Sequence, residues 1–181
     1  MIIGITGSFG AGKGTVVEYL VQKKGFKHYS ASGFITEEIV RRGMPVNRDS
    51  MILVSNEMRA QNGPSYIIDS LYDRAKQAGG DAILESLRAV AEVHRIKELG
   101  GKVIGVDAEP HLRYERSVAR KSEKDDVSYE KWLAQEQEES NTTDPTKQNI
   151  FGALKESDYT VTNNGTLEEL HAQIDALPIF N

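Results

Sequence analysis

One stretch near the start of this chain restricts its possible folds more than any other. Gly7-Ser8-Phe9-Gly10-Ala11-Gly12-Lys13-Gly14-Thr15 follows the apolar run Met1-Ile2-Ile3-Gly4-Ile5-Thr6 and precedes Val16-Val17-Glu18-Tyr19-Leu20-Val21. The apolar run reads as a buried strand and the later segment as a helix, so a glycine-rich turn carrying a lysine joins strand to helix. Glycines permit left-handed backbone and let N–H groups approach an anion closely. Those N–H groups, with the positive end of the new helix, form a phosphate cradle, and Lys13 adds a mobile cation for the outer phosphates. Gly7, Gly10, Ala11, Gly12, Lys13, Gly14 and Thr15 are therefore the expected contacts of a nucleoside triphosphate, and ATP is the expected donor.

The residue after the lysine narrows the class. Many triphosphate-binding loops place Ser or Thr there, whereas this chain has Gly14 and then Thr15. The form Gly-x-x-Gly-x-Gly-Lys-Gly-Thr resembles nucleoside monophosphate kinases, adenylate kinase especially, and implies a phosphotransferase acting on a small molecule.

Strands are expected at Ile2–Thr6, Phe26–Ser30, Asp81–Glu85, Lys102–Asp107 and Tyr159–Thr162, with helices between them. Such alternation predicts an α/β three-layer sandwich around a five-stranded parallel sheet, with ligands at the carboxyl ends of the strands. A length of 181 residues suits one domain spanning 1–181. Between the second and third strands, Gly43-Met44-Pro45 and Asn62-Gly63-Pro64 divide a long stretch into three helices, the middle one beginning near Asp49-Ser50. This stretch, about residues 34–80, is read as a helical insertion that closes over an acceptor. Residues 111–145 are read as a short arginine-bearing lid. Within it, Ser122–Asp126 is a charge run, Trp132 a packing anchor, and Asn141–Pro145 a loop that opens another helix.

The chain has no cysteine, which excludes disulfides, a thiol nucleophile and cysteine-ligated zinc. A formal net charge of −5 argues against general nucleic-acid binding. No apolar run approaches the roughly 20 residues of a membrane span, and the N-terminus enters a strand without a basic leader. A cytoplasmic location and a small-molecule partner are the expectations.

Phosphoryl transfer asks the protein for positioning, cations and a metal site. Thr15 and Glu85 are the candidates for Mg²⁺, the first by its hydroxyl and the second as the carboxylate that ends the third strand. Arg116 and Arg120 share a helix face four residues apart, with Arg113 beside them, and are candidates to grip polyphosphate alongside Lys13. Arg88 either reaches an acceptor phosphate or pairs with Glu85. Ser32 either meets an acceptor or caps the helix it opens. Arg41, Arg42 and Arg59 are candidates for an acceptor phosphate. The histidines show no metal-ligand spacing.

With these residues in view, nearly the whole chain resembles the P-loop nucleoside kinase superfamily, in particular dephospho-CoA kinases and related archaeal nucleotide kinase-like proteins. Beyond the glycine loop, the resemblance rests on Ile83-Leu84-Glu85-Ser86-Leu87-Arg88, on Val103–Pro110 followed by Arg113, Arg116 and Arg120, and on Ser157–Leu170. The last resembles the C-terminal block of dephospho-CoA kinases. It implies that Asn163–Gly165, with Asn163 and Gly165 foremost, lie near the donor base; read by residue type alone, Asn163-Asn164-Gly165 is a turn before a capped helix. Two departures concern the acceptor. Gly33-Phe34 stands where monophosphate kinases carry Gly-Asp, and Glu37 stands near the place of their acceptor arginine. The resemblance implies Mg²⁺-dependent transfer of the γ-phosphoryl group of ATP to a nucleotide-like acceptor. A nucleoside or deoxynucleoside monophosphate ranks just ahead of dephospho-CoA, since no Asp base follows the second strand. A nucleotide-binding switch or accessory ATPase without a small acceptor is the rival that Phe34 and Glu37 favour.

Overall fold

The computed structural model describes residues 1–119, 128–140, 142, 144 and 146–180. Arg120 and the charge run Ser122–Asp126 lie outside the described residues. Five parallel strands form one sheet: β1 (Ile2–Gly7), β2 (Lys27–Ser30), β3 (Ala82–Leu87), β4 (Lys102–Asp107) and β5 (Tyr159–Thr162). Their spatial order is β2-β3-β1-β4-β5. The helices are α1 (Lys13–Lys24), α2 (Ala31–Arg41), α3 (Arg48–Asn62), α4 (Tyr66–Ala78), α5 (Val90–Glu98), α6 (Pro110–Ala119), α7 (Tyr129–Ser140), α8 (Ile150–Lys155) and α9 (Leu167–Asp175). Among the described residues no helix is long and apolar enough to cross a membrane.

The order of the strands positions the site. The chain leaves β1 toward β2 on one side of the sheet and leaves β4 toward β5 on the other, and β1 and β4 are neighbours. Parallel sheets open a crevice beyond the carboxyl ends of strands at such a switch point. The glycine loop that follows β1 stands there.

Alternation along the strands divides the core between two faces. Ile3, Ile5, Ile83, Ile104, Val106 and Val161 point to one side, where Val16 and Leu20 of α1 and Leu170 and Ile174 of α9 cover them. Leu84, Leu87 and Val103 point to the other, under Ile35 and Ile39 of α2, Val54 of α3, Ile67, Ile68 and Leu71 of α4, and Val93 and Ile96 of α5. Burying each such side chain contributes roughly 1.5–3 kcal/mol.

The three helices expected between the second and third strands are α2, α3 and α4. Asn47 rather than Asp49 opens α3: its side-chain oxygen accepts from the Ser50 N–H at 2.9 Å. The third strand runs two residues beyond Glu85, through a bulge: Ile5 pairs with Glu85 but Thr6 pairs with Leu87. The helix expected to open at Asn141–Pro145 starts instead at Ile150, capped by Asn149, whose side chain accepts from Gly152 N–H at 2.8 Å. Trp132 is buried, with the Arg113 guanidinium over its ring at 5.2 Å, as a packing anchor should be.

Candidate active site

The glycine loop is held from three sides. Gly10 (φ 74°) and Gly12 (φ 92°) use left-handed backbone, and each also admits a close neighbour. A Cβ at Gly10 would lie 2.2 Å from the Arg113 carbonyl oxygen, and one at Gly12 would lie 2.2 Å from Asn163 Nδ2. Asn163 Nδ2 donates to the Ala11 carbonyl at 2.9 Å. Ser8 Oγ donates to Asp107 at the end of β4 at 2.8 Å. Arg113 donates to the Ala108 carbonyl at 2.9 Å and lies 3.4 Å from the Phe9 carbonyl. The buried Glu136 of α7 binds the same guanidinium. Lys13 Nζ curls back over the loop and donates to the carbonyls of Gly7 (2.9 Å) and Ser8 (3.0 Å). Gly14 and Thr15 stand in the first turn of α1, where helix N–H groups and the positive helix end face the loop.

Arg116 donates to the Asn163 carbonyl at 2.9 Å, joining α6 to the turn after β5. In that turn the Asn163 amide nitrogen is committed to the loop at Ala11. Gly165 has a local reason to be glycine: a Cβ there would lie 1.8 Å from Glu169 Oε2, the atom that accepts from Thr166 N–H at 2.8 Å to start α9.

Glu85 sits beside Ser30 in the β2–β3 register. Ser86 Oγ donates to Glu85 Oε1 at 2.6 Å, Ser30 Oγ to Oε2 at 3.2 Å, and His28 Nε2 lies 3.7 Å from Oε2. Burial opposes ionisation of this carboxyl, but the His28 and Ser86 contacts and the charge of Lys13 outweigh it and hold its pKa below the usual range. The donors on offer, a carboxylate and the hydroxyls of Thr15 and Ser30, are hard oxygens that fit Mg²⁺. Mg²⁺ usually keeps waters and takes one or two carboxylates with substrate phosphates. Among the described residues no group of three or more His, Cys, Asp or Glu side chains is placed to hold a metal ion.

The acceptor-side candidates are placed differently from expectation. Ser30, not Ser32, caps α2, accepting from Gly33 N–H at 3.2 Å; Ser32 Oγ lies 3.4 Å from Ser30 Oγ, near Glu85. Arg59 is not open to an acceptor phosphate: its side chain is 2% exposed and donates twice to Glu92 Oε1, at 3.0 and 2.9 Å. Glu92 Oε2 in turn accepts from the backbone N–H groups of Arg88 (2.8 Å) and Ala89 (3.1 Å). Arg88 has contacts away from the acceptor cavity. Its guanidinium lies over the Phe9 ring at 5.0 Å and 3.3 Å from Gln148. Arg41 is bidentate on Glu38 at 2.7 and 2.6 Å, and Arg42 bridges Glu38 and Glu57. Glu37 pairs with Arg74 at 3.0 Å, and Arg74 also covers the Phe34 ring at 4.7 Å. Phe34, Glu37, Arg41 and Arg74 thus line a cavity of about 440 Å³ between α2, α3 and α4.

Residues 3–144 match the AAA domain family. The chain belongs to that family. Its likeness to curated proteins covers nearly all of it: a UPF0200 protein of Thermococcus kodakarensis is 24% identical over 98% of this chain and 96% of its own, and one of Pyrococcus abyssi is 26% identical over 98% and 95%. Among solved structures, TT1252 from Thermus thermophilus superposes with a TM-score of 0.62 at 22% identity, covering 97% of this chain and 95% of its own. Shikimate kinase from Bacteroides thetaiotaomicron gives 0.58 at 12% identity, covering 97% and 96%. This AAA-domain chain therefore has the P-loop kinase-like fold that its sequence resembles.

Three acids that build the site of this AAA-domain protein carry no motif role in the sequence: Asp107, Glu92 and Glu136, the partner of Arg113. Asp107 carried a readable signal, an acid at the carboxyl end of a strand. Glu92 and Glu136 carried none, since an acid on a helix reads as solvated until its partner is known.

Proposed function

We propose that this protein transfers the γ-phosphoryl group of ATP, with Mg²⁺, to a small nucleotide-like acceptor. The observation that carries this reading is the loop itself: left-handed glycines, a helix start and Lys13 converge where the sheet opens. In this reading Lys13 leaves the Gly7 and Ser8 carbonyls for the outer phosphates and stabilises charge that develops during transfer. The loop N–H groups hold the inner phosphates. Thr15 and Glu85 would hold Mg²⁺, which would supply neutralisation of the phosphate charge. Arg116 and Arg120 add cations from the lid, about residues 111–145. Helices between residues 34 and 80 close over the acceptor, with Ser32, Arg41 and Arg88 as contacts, and close approach excludes water from the transfer.

A monophosphate acceptor remains the leading choice on sequence, through the missing Asp base. The ion pairs of Arg41, Arg42, Arg59 and Arg74 weigh the other way, because an acceptor phosphate would have to displace a carboxylate. They favour an acceptor hydroxyl, the dephospho-CoA type, presented to Glu85 and its serines. Phe34 packs with Tyr66 and Arg74, and Glu37 pairs with Arg74; standing in place of the acceptor signature, the two residues favour the rival reading, a switch or accessory ATPase without a small acceptor. ADP formation from ATP and Mg²⁺, measured against each ribo- and deoxyribonucleoside monophosphate and dephospho-CoA, tests these choices. Strong stimulation by one acceptor supports the reading and names the class. Slow turnover indifferent to every acceptor moves the function to a switch or accessory ATPase.

A further inference from the structure

Ser86 is the only non-glycine residue with positive φ among the described residues, at 71°. It is also the residue left unpaired by the bulge between Ile5–Glu85 and Thr6–Leu87. The bulge reverses the parity of β3. Ala82 and Leu84 face the α2–α5 core, and simple alternation would turn Leu87 away from it. With one extra residue inserted, Leu87 joins that same core. Its carbonyl accepts from Thr6 Oγ1 at 2.8 Å, and Glu92 holds the next two N–H groups. The segment is thus determined on both sides, which is the condition under which left-handed backbone persists at a side-chain-bearing residue.

If backbone geometry were the only requirement, glycine would meet it at lower steric cost. What serine adds is a hydroxyl 2.6 Å from Glu85 Oε1. We propose that Ser86 is a positioning residue for metal-dependent nucleotide binding: its hydroxyl, aimed by the bulge, holds the Glu85 carboxylate by Oε1, so that Oε2, which accepts one hydrogen bond from Ser30 Oγ and lies near His28, keeps its second lone pair for Mg²⁺ or its water. The inference rests on the ATP-binding reading above. Outer hydrogen bonds of this kind commonly change metal affinity about 10–100-fold when removed.

Ser86→Ala removes the hydroxyl and keeps the strained Cβ; Ser86→Gly removes both. Binding of a fluorescent ATP analogue is titrated with Mg²⁺ and repeated in EDTA, and each protein is melted. Both variants should need about 10-fold more Mg²⁺ for half-maximal binding, with wild-type affinity in EDTA. Ser86→Gly should melt about 2–4 °C above Ser86→Ala, because the two differ only in the Cβ that left-handed backbone disfavours. Unchanged Mg²⁺ midpoints in both variants overturn the proposal while leaving ATP binding intact. A shift in Ser86→Gly alone also overturns it, since the backbone and not the hydroxyl would then be responsible. A wild-type chain that binds no analogue under either condition overturns the functional reading and this inference together.

Discussion

The donor side and the acceptor side of this molecule use charge in opposite ways. Around the glycine loop, side chains from distant elements, Asp107, Asn163 and Arg113, bind the loop's own backbone or Ser8 and hold a phosphate-shaped turn in place. On α2–α4 the charged groups bind one another, Arg41 and Arg42 with Glu38 and Arg74 with Glu37, while Arg59 of α3 binds Glu92 of α5. A motif whose chemistry lies in backbone N–H groups survives folding as read. Arginines, by contrast, are defined by their partners, and a carboxylate nearby turns an anion ligand into part of the scaffold.

The largest effect expected from this contrast is on stability. Glu92→Ala strands the Arg59 guanidinium and uncaps Arg88 and Ala89, and should cost about 3–5 kcal/mol in chemical denaturation. The double replacement Arg59→Met with Glu92→Leu should recover part of that loss. A mild Glu92→Ala phenotype would mean that Arg59 is free to serve a ligand after all. Next, Lys13→Ala should lower phosphoryl transfer by ~100-fold or more while leaving the melting temperature nearly unchanged. Near-normal turnover would remove the donor assignment. Asn163→Ala should leave the Ala11 carbonyl without its donor and weaken nucleotide binding by about 1–3 kcal/mol, seen as a raised KM for ATP. An altered preference among ATP, GTP and CTP with unchanged affinity would instead restore Asn163 as a base contact.

The smallest effect concerns acid. Hydrogen bonds from Arg41 and Arg42 hold the Glu38 carboxyl down at about 2, from an ordinary 4.5. A depressed carboxyl pKa contributes stability that is complete above the unfolded value and lost as pH falls through the folded one. The difference in stability between wild type and Glu38→Gln should therefore be constant above about pH 4.5 and close toward pH 2. A difference that persists unchanged at pH 2 would show that Glu38 acts by packing and not by charge.

Much of the fold was readable locally. Ile2–Thr6, Lys102–Asp107 and Tyr159–Thr162 are short apolar or β-branched runs with turn residues at their ends, and all three lie in strands. The Gly43-Met44-Pro45 and Asn62-Gly63-Pro64 breaks separate helices because glycine takes up the positive φ that ends a helix and proline lacks the N–H that would continue the ladder. Ser30 over Ser32 as the cap, and Asn47 over Asp49, were decided by which side chain meets the N–H three residues on, a matter of one residue that periodicity does not resolve. A run such as Ile83–Leu87 gives no sign of where its parity changes, so the bulge at Ser86 is visible only in the folded sheet.

By itself the sequence determined the strand–loop–helix cradle, the parallel α/β architecture and the place of Lys13, Thr15 and Glu85, because these depend on backbone freedom and on neighbours a few residues away. Tertiary structure alone decided which charges remained for chemistry. The contacts that commit Arg59 to Glu92, Asn163 to Ala11 and Arg113 to Glu136 span 33, 152 and 23 residues. An ion pair or hydrogen bond is worth nothing until both groups are brought within a few ångströms and out of water, and only the packing of helices on the sheet does that.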